Sequence, residues 1–334
     1  MWHVGIDLHR LSVVIAAVDD EGNSFGTRRI DCQNRQAILA TMRSLQPFRA
    51  VIEATGTYRW LYNLLRPLGT VLLAHPLRLR AMVQRRSKTD KLDSQLLANL
   101  LRINQIPLAY IPPENYQQLR DVTRHRARLS RQAAAAKTQL RSLLARHNLV
   151  APYKCVCGVR GCRWLATQDF GGIDNLVRDE LLLRLEHYRR QLAVIDAHLK
   201  ELRAHVPQVE ALLGIHGIGL YTALLVIGEL GEVERFRTAR QVGSYAGLTA
   251  RVRQSGDHCY RGAITHEGSP WLRWILVEAA LQVIREDSVL KNFYQRIRKR
   301  SGAKKARVAV ARKLAEICWK RLIGWSGRPA MCIA

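Results

Sequence analysis

Four carboxylates within the first hundred residues suit a metal-dependent phosphodiester site. Asp7 ends the apolar run HVGID, and Glu53 stands inside the apolar run AVIEA. Asp90 and Asp93 lie three residues apart in KTDKLDS, so on a helix they share one face. An acid inside an apolar strand is costly to bury unless its charge is compensated, and divalent cations bind carboxylate oxygens. These acids predict a site for Mg²⁺ (or Mn²⁺), in which paired ions activate a nucleophile and stabilise the leaving oxygen.

Each of these acids also has an ordinary structural explanation. Asp7 could cap the end of its strand. The other three could form ion pairs with nearby bases: Arg49 or Arg59 for Glu53, and Lys88 and Lys91 for Asp90 and Asp93. Because most acids in proteins are structural or solvated, such an explanation is adequate for any single residue. Together, the four positions are explained better by one metal site.

A second set of reactive groups lies in the polar stretch RQSGDHCYRG, residues 253–262. Ser255 is flanked there by three bases, which we predict to contact nucleic acid: Arg251, Arg253 and Arg261. A serine hydroxyl in a basic loop could attack a phosphodiester, because arginine neutralises the phosphate and stabilises the pentavalent transition state. Tyr260 competes for this role, and Ser-Gly is first of all a turn sequence. Spacing alone therefore leaves the nucleophile open.

A glycine-rich stretch, GIHGIG, separates two apolar helical segments, Val209–Leu213 and Leu220–Leu230. It resembles a helix-hairpin-helix element, in which backbone N–H groups near Gly217 and Gly219 would approach a phosphate without reading sequence. Glycine turns between packed helices also arise for steric reasons alone. The stretch is thus a candidate phosphate contact with a structural alternative.

Seven cysteines are scattered along the chain, an odd number that predicts reduced thiols rather than a disulfide framework. Three of them, Cys155, Cys157 and Cys162, lie in the stretch KCVCGVRGC. They could bind zinc with His147, but the C-x2-C spacing and a second ligand pair are missing. Ordinary thiols in a basic loop are the favoured interpretation.

The charge of the chain points to a polyanionic partner. Its 334 residues include 53 Lys and Arg against 27 Asp and Glu, a formal net charge of +26. Residues 1–76 are nearly balanced, and the bases concentrate in residues 77–148 and 291–328. An apolar content of 48% excludes a disordered basic tail, and no run approaches the ~18 apolar residues of a membrane span. With an acid at position 7, where a secretory signal is apolar, we predict a cytoplasmic protein, nucleoid-associated when bound.

The first hundred residues alternate between strand and helix patterns. Three β-rich runs predict an antiparallel meander, at residues 3–7, 11–18 and 23–32. Helical and strand periods then alternate, with helices at about 35–45 and 58–68, strands at 49–55 and 70–74, and a helix-rich stretch to residue 102. This is the element order of a ribonuclease H-like α/β fold.

The middle of the chain predicts two long helices with heptad seams. One seam runs from Leu119 to Leu143, with Arg126 at one of its positions, and the other runs from Leu181 to Leu202. The helices could pack on each other as an antiparallel hairpin or on a second protomer. The sequence does not choose between these arrangements.

Six motifs in chain order resemble the DEDD transposases of bacterial insertion sequences, the IS110 family of bridge-RNA-guided serine recombinases. They are GIDLHR, IEATGTY, KTDKLDSQLLA, GIHGIG, SYAGLTARVRQSG and ITHEGSPWLRWILVEAA. The resemblance covers nearly the full chain. It implies a RuvC-like, ribonuclease H-like domain at residues 1–105, a helical coiled-coil connector at 106–206, and a mostly helical C-terminal transposase domain at 207–334.

The resemblance also implies roles for particular residues and partners. The DEDD acids would be Asp7, Glu53, Asp90 and Asp93, binding Mg²⁺. Ser255 would attack DNA to form a phosphoserine intermediate, with the acids of a partner protomer completing the site. The partners would be donor and target DNA, a structured guide RNA, and further copies of the chain in a dimer or tetramer.

We therefore predict a transposase or recombinase that cuts and rejoins the DNA of a mobile element. One alternative is a metal-dependent junction resolvase or nuclease that uses water, for which Ser255 is incidental. Another is a non-catalytic DNA-binding protein. The DNA sequence recognised is not readable from the chain, since guidance by RNA would place specificity outside the protein.

Overall fold

The computed structural model describes residues 1–82, 90–255 and 258–325, and at five of these positions, 90, 91, 253, 255 and 261, it describes the backbone alone. The chain divides into two compact units, Met1–Ile111 and Pro112–Ala334. The first unit is α/β and the second is mostly helical, so the predicted fold class is confirmed at this level. The predicted three-part division, with boundaries after residues 105 and 206, stays a prediction.

A five-stranded sheet forms the centre of the first unit, in the order β3-β2-β1-β4-β5. The strands are β1 (Trp2–Leu8), β2 (Ser12–Val18), β3 (Ser24–Asp31), β4 (Phe48–Glu53) and β5 (Thr70–Ala74). β1, β2 and β3 form the predicted antiparallel meander, and β4 and β5 run parallel to β1. This is the sheet expected of a ribonuclease H-like fold.

Four helices cover the two faces of this sheet: α1 (Arg35–Ser44), α2 (Tyr58–Leu65), α3 (Pro76–Met82) and α4 (Asp90–Arg102). α1 and α2 pack on the face that presents Ile6 and Ile52. α3 and α4 pack on the opposite face, which presents Val51. Because both faces are covered, the central strands are apolar on both sides, which explains runs such as VVIAAV.

The second unit begins with a helical hairpin built from α5 (Glu114–Arg146), α6 (Val159–Ala166) and α7 (Gly172–His205). Leu143 clusters with Leu181 at one end, and Leu119 clusters with Leu199 at the other, so α5 and α7 run antiparallel within one chain. Of the two arrangements that the sequence left open, the chain forms the hairpin. Arg126, the polar seam residue, pairs with Asp196 of α7 at 2.8 Å.

The rest of the second unit is a helical core with one β-hairpin. Its helices are α8 (Val209–Leu213), α9 (Leu220–Leu230), α10 (Ala239–Tyr245), α11 (Pro270–Glu286), α12 (Ser288–Ser301) and α13 (Ala303–Ile323), and its strands are β6 (Ala250–Ser255) and β7 (His258–Ile264). α9 is buried along most of its length, where it packs against α5, α7, α8 and α11. None of the helices in the described part of the chain is both long and apolar enough to cross a membrane.

Two stretches that we predicted as loops contain regular structure. The stretch around Ser255 forms β6 and β7, because RVRQS and HCYRGAI flank a short Gly-Asp link as in a hairpin. The cysteine stretch ends in α6, which begins at Val159 and includes Cys162. Both predictions of an irregular loop were therefore wrong for part of their length.

Candidate catalytic site

Asp7 and Glu53 occupy neighbouring positions on adjacent parallel strands. β1 and β4 pair in register up to Ile6 opposite Ile52, and each acid is the next residue of its strand. Side chains alternate between the faces of a sheet, so both acids belong to the face opposite that of Ile6 and Ile52. Gly5 and Val51 precede them on that face, which is the face that α4 covers. The sheet thus brings two of the four predicted acids to one edge under one helix.

α4 runs antiparallel to β1, which places its first turn at the same edge. Over the middle of the helix, a β-carbon added to Gly5 would lie 2.5 Å from the backbone nitrogen of Ala98 and closer still to the Ser94 carbonyl. At the carboxyl end of α4, Arg102 donates from Nη1 to the carbonyl oxygen of Asp20 at 3.4 Å. Asp20 follows the end of β2, which pairs with the beginning of β1, so this end of α4 lies at the beginning of β1. The amino end therefore points towards Asp7.

The two aspartates of α4 lie in that first turn. Asp90 is its first residue and Asp93 is half-buried. Four residues of helix rise about 6 Å and two residues of strand extend about 6.6 Å. The backbone of Asp90, one turn before Ser94, is thus level with Asp7, which lies two residues beyond Gly5 on the strand. The side chain of Asp90 lies outside the described part of the structure.

The strand acids are partly shielded from solvent. The side chain of Asp7 is 15% exposed, and His9 Nε2 lies 3.0 Å from its Oδ2. Arg49, one of the bases proposed above as an ion-pair partner of Glu53, donates instead to Asn104 Oδ1 at 3.0 Å. Asp7 is therefore more than a solvated cap at a strand end, and Arg49 is engaged elsewhere.

The donor chemistry at this edge fits a hard divalent cation, since the acids supply only oxygen ligands from two strands and a helix. Among the described side chains, no three His, Cys, Asp or Glu residues are close enough together to hold a metal ion. The fourth predicted ligand, Asp90, is outside that set. The positions of all four acids as metal ligands stay a prediction.

Ser255 lies at the end of β6, next to the link between the two hairpin strands. The pairing register places His258 opposite Ser255, and Tyr260 opposite Arg253. These four positions share one face of the hairpin, because alternate residues of a strand share a face. Tyr260 is 70% exposed. The rival nucleophiles thus stand two register positions apart on one surface.

The bases near Ser255 are placed by the same two strands. Arg251 is exposed and donates from Nη2 to the carbonyl oxygen of Thr265 at 3.3 Å, across the base of the hairpin. Arg253 and Arg261 lie on the strands, with side chains outside the described set. The hairpin gathers the three predicted nucleic-acid contacts within one small sheet.

The two glycines predicted to contact phosphate differ in their surroundings. Gly217 has φ of 76°, and a β-carbon there would lie 2.9 Å from the backbone nitrogen of Val283 in α11. Packing alone therefore requires glycine at position 217. Gly219 precedes α9, and a β-carbon there would meet nothing within 4 Å. Both glycines are exposed, and phosphate contact at either stays a prediction.

The cysteine stretch does not form a metal centre in the described structure. His147 Nε2 lies 2.7 Å from Asp174 Oδ2. Cys157 is buried, which raises the pKa of its thiol, and Arg189 donates to its carbonyl oxygen and to Cys162 Sγ. The interpretation as ordinary thiols agrees with this arrangement.

Two family models match the regions that carry these features. The DEDD transposase model of IS110 elements matches residues 4–149. A model described as the transposase IS116/IS110/IS902 family matches residues 209–295. The chain belongs to this transposase family. The first match spans the sheet and all four acids, and the second spans the Ser255 hairpin.

Curated relatives of the family align over most of the chain. The transposase for insertion sequence element IS1111A of Coxiella burnetii is 25% identical, covering 96% of this chain and 89% of its own. The transposase for insertion sequence element IS1328 of Yersinia enterocolitica is 26% identical over 95% of both chains. The pilin gene-inverting protein of Moraxella bovis is 25% identical, covering 80% of this chain and 78% of its own.

Family membership confirms the prediction of a transposase and corrects one part of it. The matching model takes its name from the DEDD acids, a definition inconsistent with classification as a serine recombinase. That classification, which the motifs suggested, is not supported. The role of Ser255 as a nucleophile does not depend on that classification and stays a prediction.

Proposed function

We propose that this transposase cleaves and rejoins the DNA of a mobile element, with Asp7, Glu53, Asp90 and Asp93 as ligands for Mg²⁺ or Mn²⁺. The observation that carries the proposal is the adjacent placement of Asp7 and Glu53 on parallel strands, under the first turn of α4. When bound, the ions would supply charge neutralisation at the reacting phosphate. The acids would hold this charge in place, and the part-buried settings of Asp7, Glu53 and Asp93 limit competition from water.

The Ser255 hydroxyl is the nucleophile in this proposal. Its oxygen would form an ester bond to phosphorus as the bond from phosphorus to the strand oxygen breaks; the serine proton would pass to a base, and the displaced strand oxygen would take up a proton and leave as a hydroxyl. Attack by another strand hydroxyl would reverse the exchange and release the serine. The number of phosphoester bonds is conserved, so cut ends can be rejoined without an external energy source.

The rejoining step is supported by one relative. The name of the Moraxella bovis protein states that it inverts a pilin gene. An inverted segment is joined to its flanks again at both ends, so inversion needs cleavage and rejoining. Similar chemistry in this chain accounts better than hydrolysis by water does for a hairpin whose sequence carries a serine between three arginines, Arg251, Arg253 and Arg261.

Two finer parts of the proposal concern partners. A structured guide RNA would give the large positive charge a second polyanionic ligand beside DNA. A dimer or tetramer is supported by large apolar side chains exposed along the outer side of α7, namely Ile173, Leu176, Leu183 and Val194. Both the RNA and the oligomer are implied by the family resemblance.

The decisive experiment traps a covalent protein–DNA adduct. A nicked duplex that carries the junction between the element and its flanking DNA loses the leaving strand after attack, so the adduct accumulates. We expect adduct with the wild-type chain and with Tyr260→Phe, and none with Ser255→Ala. Adduct formed by Ser255→Ala but not by Tyr260→Phe would assign the nucleophile to Tyr260. Cleavage with no adduct from any variant would favour the water-using resolvase.

A further inference from the structure

The core of the second unit contains a carboxylate that the proposed chemistry does not use. Glu229 lies in the last turn of α9, in the otherwise apolar sequence LYTALLVIGEL, and its side chain is 1% exposed. An unpaired carboxylate in such a place would be strongly destabilising. Its partners therefore show what it holds in place.

Two side chains compensate the buried charge. Arg124 of α5 donates from Nε to Oε1 at 2.6 Å and from Nη2 to Oε2 at 2.9 Å, a bidentate pair. Burial alone would lower the pKa of Arg124, but its hydrogen bond to Glu229 and the charge of that residue outweigh burial and raise it. Ser269 donates from Oγ to Oε2 at 2.7 Å. The carboxylate thus connects the long helix α5 to the residue that precedes α11.

The backbone of Glu229 is held as well. Its carbonyl oxygen, near the end of α9 where no helical donor follows, accepts from Arg120 Nη2 at 2.8 Å and from the Tyr245 hydroxyl at 3.1 Å. Tyr245 is the last residue of α10. Four segments of the chain therefore meet at one residue, and two of them flank the Ser255 hairpin.

These two segments form the root of the hairpin. The chain leaves α10 at Tyr245 to enter β6, and it returns from β7 through Ser269 to α11. Ser269 donates its backbone N–H to the Tyr245 carbonyl at 3.2 Å, and the Thr265 N–H donates to the Thr249 carbonyl at 2.9 Å. A β-carbon on Gly268 would clash with the Tyr245 carbonyl, so the two segments touch backbone to backbone.

We propose that Glu229 is a positioning residue for the hairpin: with Arg124 and Ser269 it fixes the hairpin root on α5 and so determines where Ser255 stands. This inference rests on the proposed role of Ser255. Glu229 is too deeply buried to touch DNA. It acts through the root, which both strands share. We call the contacts of Glu229 with Arg124 and Ser269 the clamp; its loss would misplace the nucleophile while the helical core stays folded.

The chain offers a matched pair of variants for testing this. Ser269 caps α11, with Oγ accepting the Leu272 N–H at 3.1 Å, and it also binds Glu229. Asp287 caps α12 in the same way, with Oδ1 accepting the Leu290 N–H at 2.9 Å, and it has no part in the clamp. Ser269→Ala and Asp287→Ala each remove one helix cap, but only Ser269→Ala also removes a hydrogen bond between the Glu229 carboxylate and the hairpin root. Glu229→Gln is less suitable, because it removes the charge that compensates the half-buried Arg124 and can unfold the domain.

The readouts are the rate of adduct formation on the nicked duplex and amide hydrogen exchange in residues 250–255 and 258–264. We expect Ser269→Ala to slow adduct formation by about 100-fold, as for small misplacements of a reacting group, and to speed exchange in the hairpin. Duplex affinity should not change. Asp287→Ala should lower the melting temperature comparably without either effect. Ser269→Thr, which keeps the hydroxyl, should restore the rate.

The two proposals can fail separately. Equal rates and equal hairpin exchange in Ser269→Ala and Asp287→Ala would overturn the positioning role. If Ser255→Ala still forms adduct, the assignment of the nucleophile fails. Faster hairpin exchange in Ser269→Ala would still support the clamp in that case, since exchange does not depend on which group attacks.

Discussion

Gly5 and Ala98 lie so close that a β-carbon on Gly5 would be 2.5 Å from the backbone nitrogen of Ala98. β1 and α4 therefore cross backbone to backbone, an approach that only glycine allows. Asp7 lies two residues beyond this crossing on the strand, and Asp93 lies in the first turn of the helix. The crossing sets the distance between the two halves of the predicted metal site.

Replacing Gly5 should disturb both stability and chemistry. Gly5→Ala must separate β1 from α4, so we expect a loss of about 3 kcal/mol in the free energy of unfolding, measured by urea denaturation. Metal-dependent strand cleavage should fall as well. As a stability control, Gly56→Ala places its β-carbon where nothing lies within 4 Å. Equal stability of the two variants would contradict the close crossing.

Neutral replacement of the strand acids should separate cleavage from binding. Asp7→Asn and Glu53→Gln keep the shape of each side chain but remove a charge that a cation needs, so we expect Mg²⁺-dependent cleavage to fall by at least about 100-fold. Affinity for duplex DNA should change little. Asp31→Asn, at the exposed end of β3, is the matched control and should cleave normally. Full activity of both site variants would reject the metal site.

The guide RNA can be sought directly. We expect the protein purified from cells that carry the flanking DNA of the element to bring down one discrete RNA, identified by sequencing. Binding of that RNA should weaken by about 1,000-fold between roughly 50 and 200 mM salt, because each phosphate contact releases counterions. Recovery of random cellular RNA alone would exclude guidance by a structured RNA and leave the transposase proposal intact.

Acid should loosen the end of the α5–α7 hairpin. The His147 hydrogen bond, together with the charge of Arg146, holds the pKa of Asp174 below its usual value. The carboxylate therefore stabilises the folded form above the ordinary aspartate pKa, and this stabilisation is lost as pH falls through the lowered value. Asp174→Asn should flatten the acid side of a plot of melting temperature against pH. Superimposable curves for variant and wild type would contradict the pairing.

Much of the fold follows from hydrophobic period alone. The strands around Asp7 and Glu53 and the long helices were predicted within a few residues, since burial on both sheet faces and along the seams leaves strong patterns. The sequence did not predict whether the two long helices pack on each other or on a second protomer, because a heptad seam fits either partner. The Arg126–Asp196 pair shows the answer, and it joins residues 70 positions apart.

The candidate site was predictable to a different degree in its two parts. An acid in an apolar strand revealed Glu53, and the same rule applied to LLVIGEL would have found Glu229. Its partners could not have been read from the sequence, because Arg124 and Ser269 lie on other segments of the fold. Gly217 shows the converse, since its contact with α11 gives it the packing role that the sequence offered only as an alternative to phosphate contact.

The hairpin behaves mechanically as a lever. Ser255 stands five residues beyond Ala250, so the arm from the root to the nucleophile is about 17 Å long. A tilt of about 3° at the root moves its tip by about 1 Å, a displacement that can cost 100-fold in rate. The accuracy with which Ser255 is placed therefore depends on the stiffness of the hairpin root, and the buried carboxylate of Glu229 binds that root.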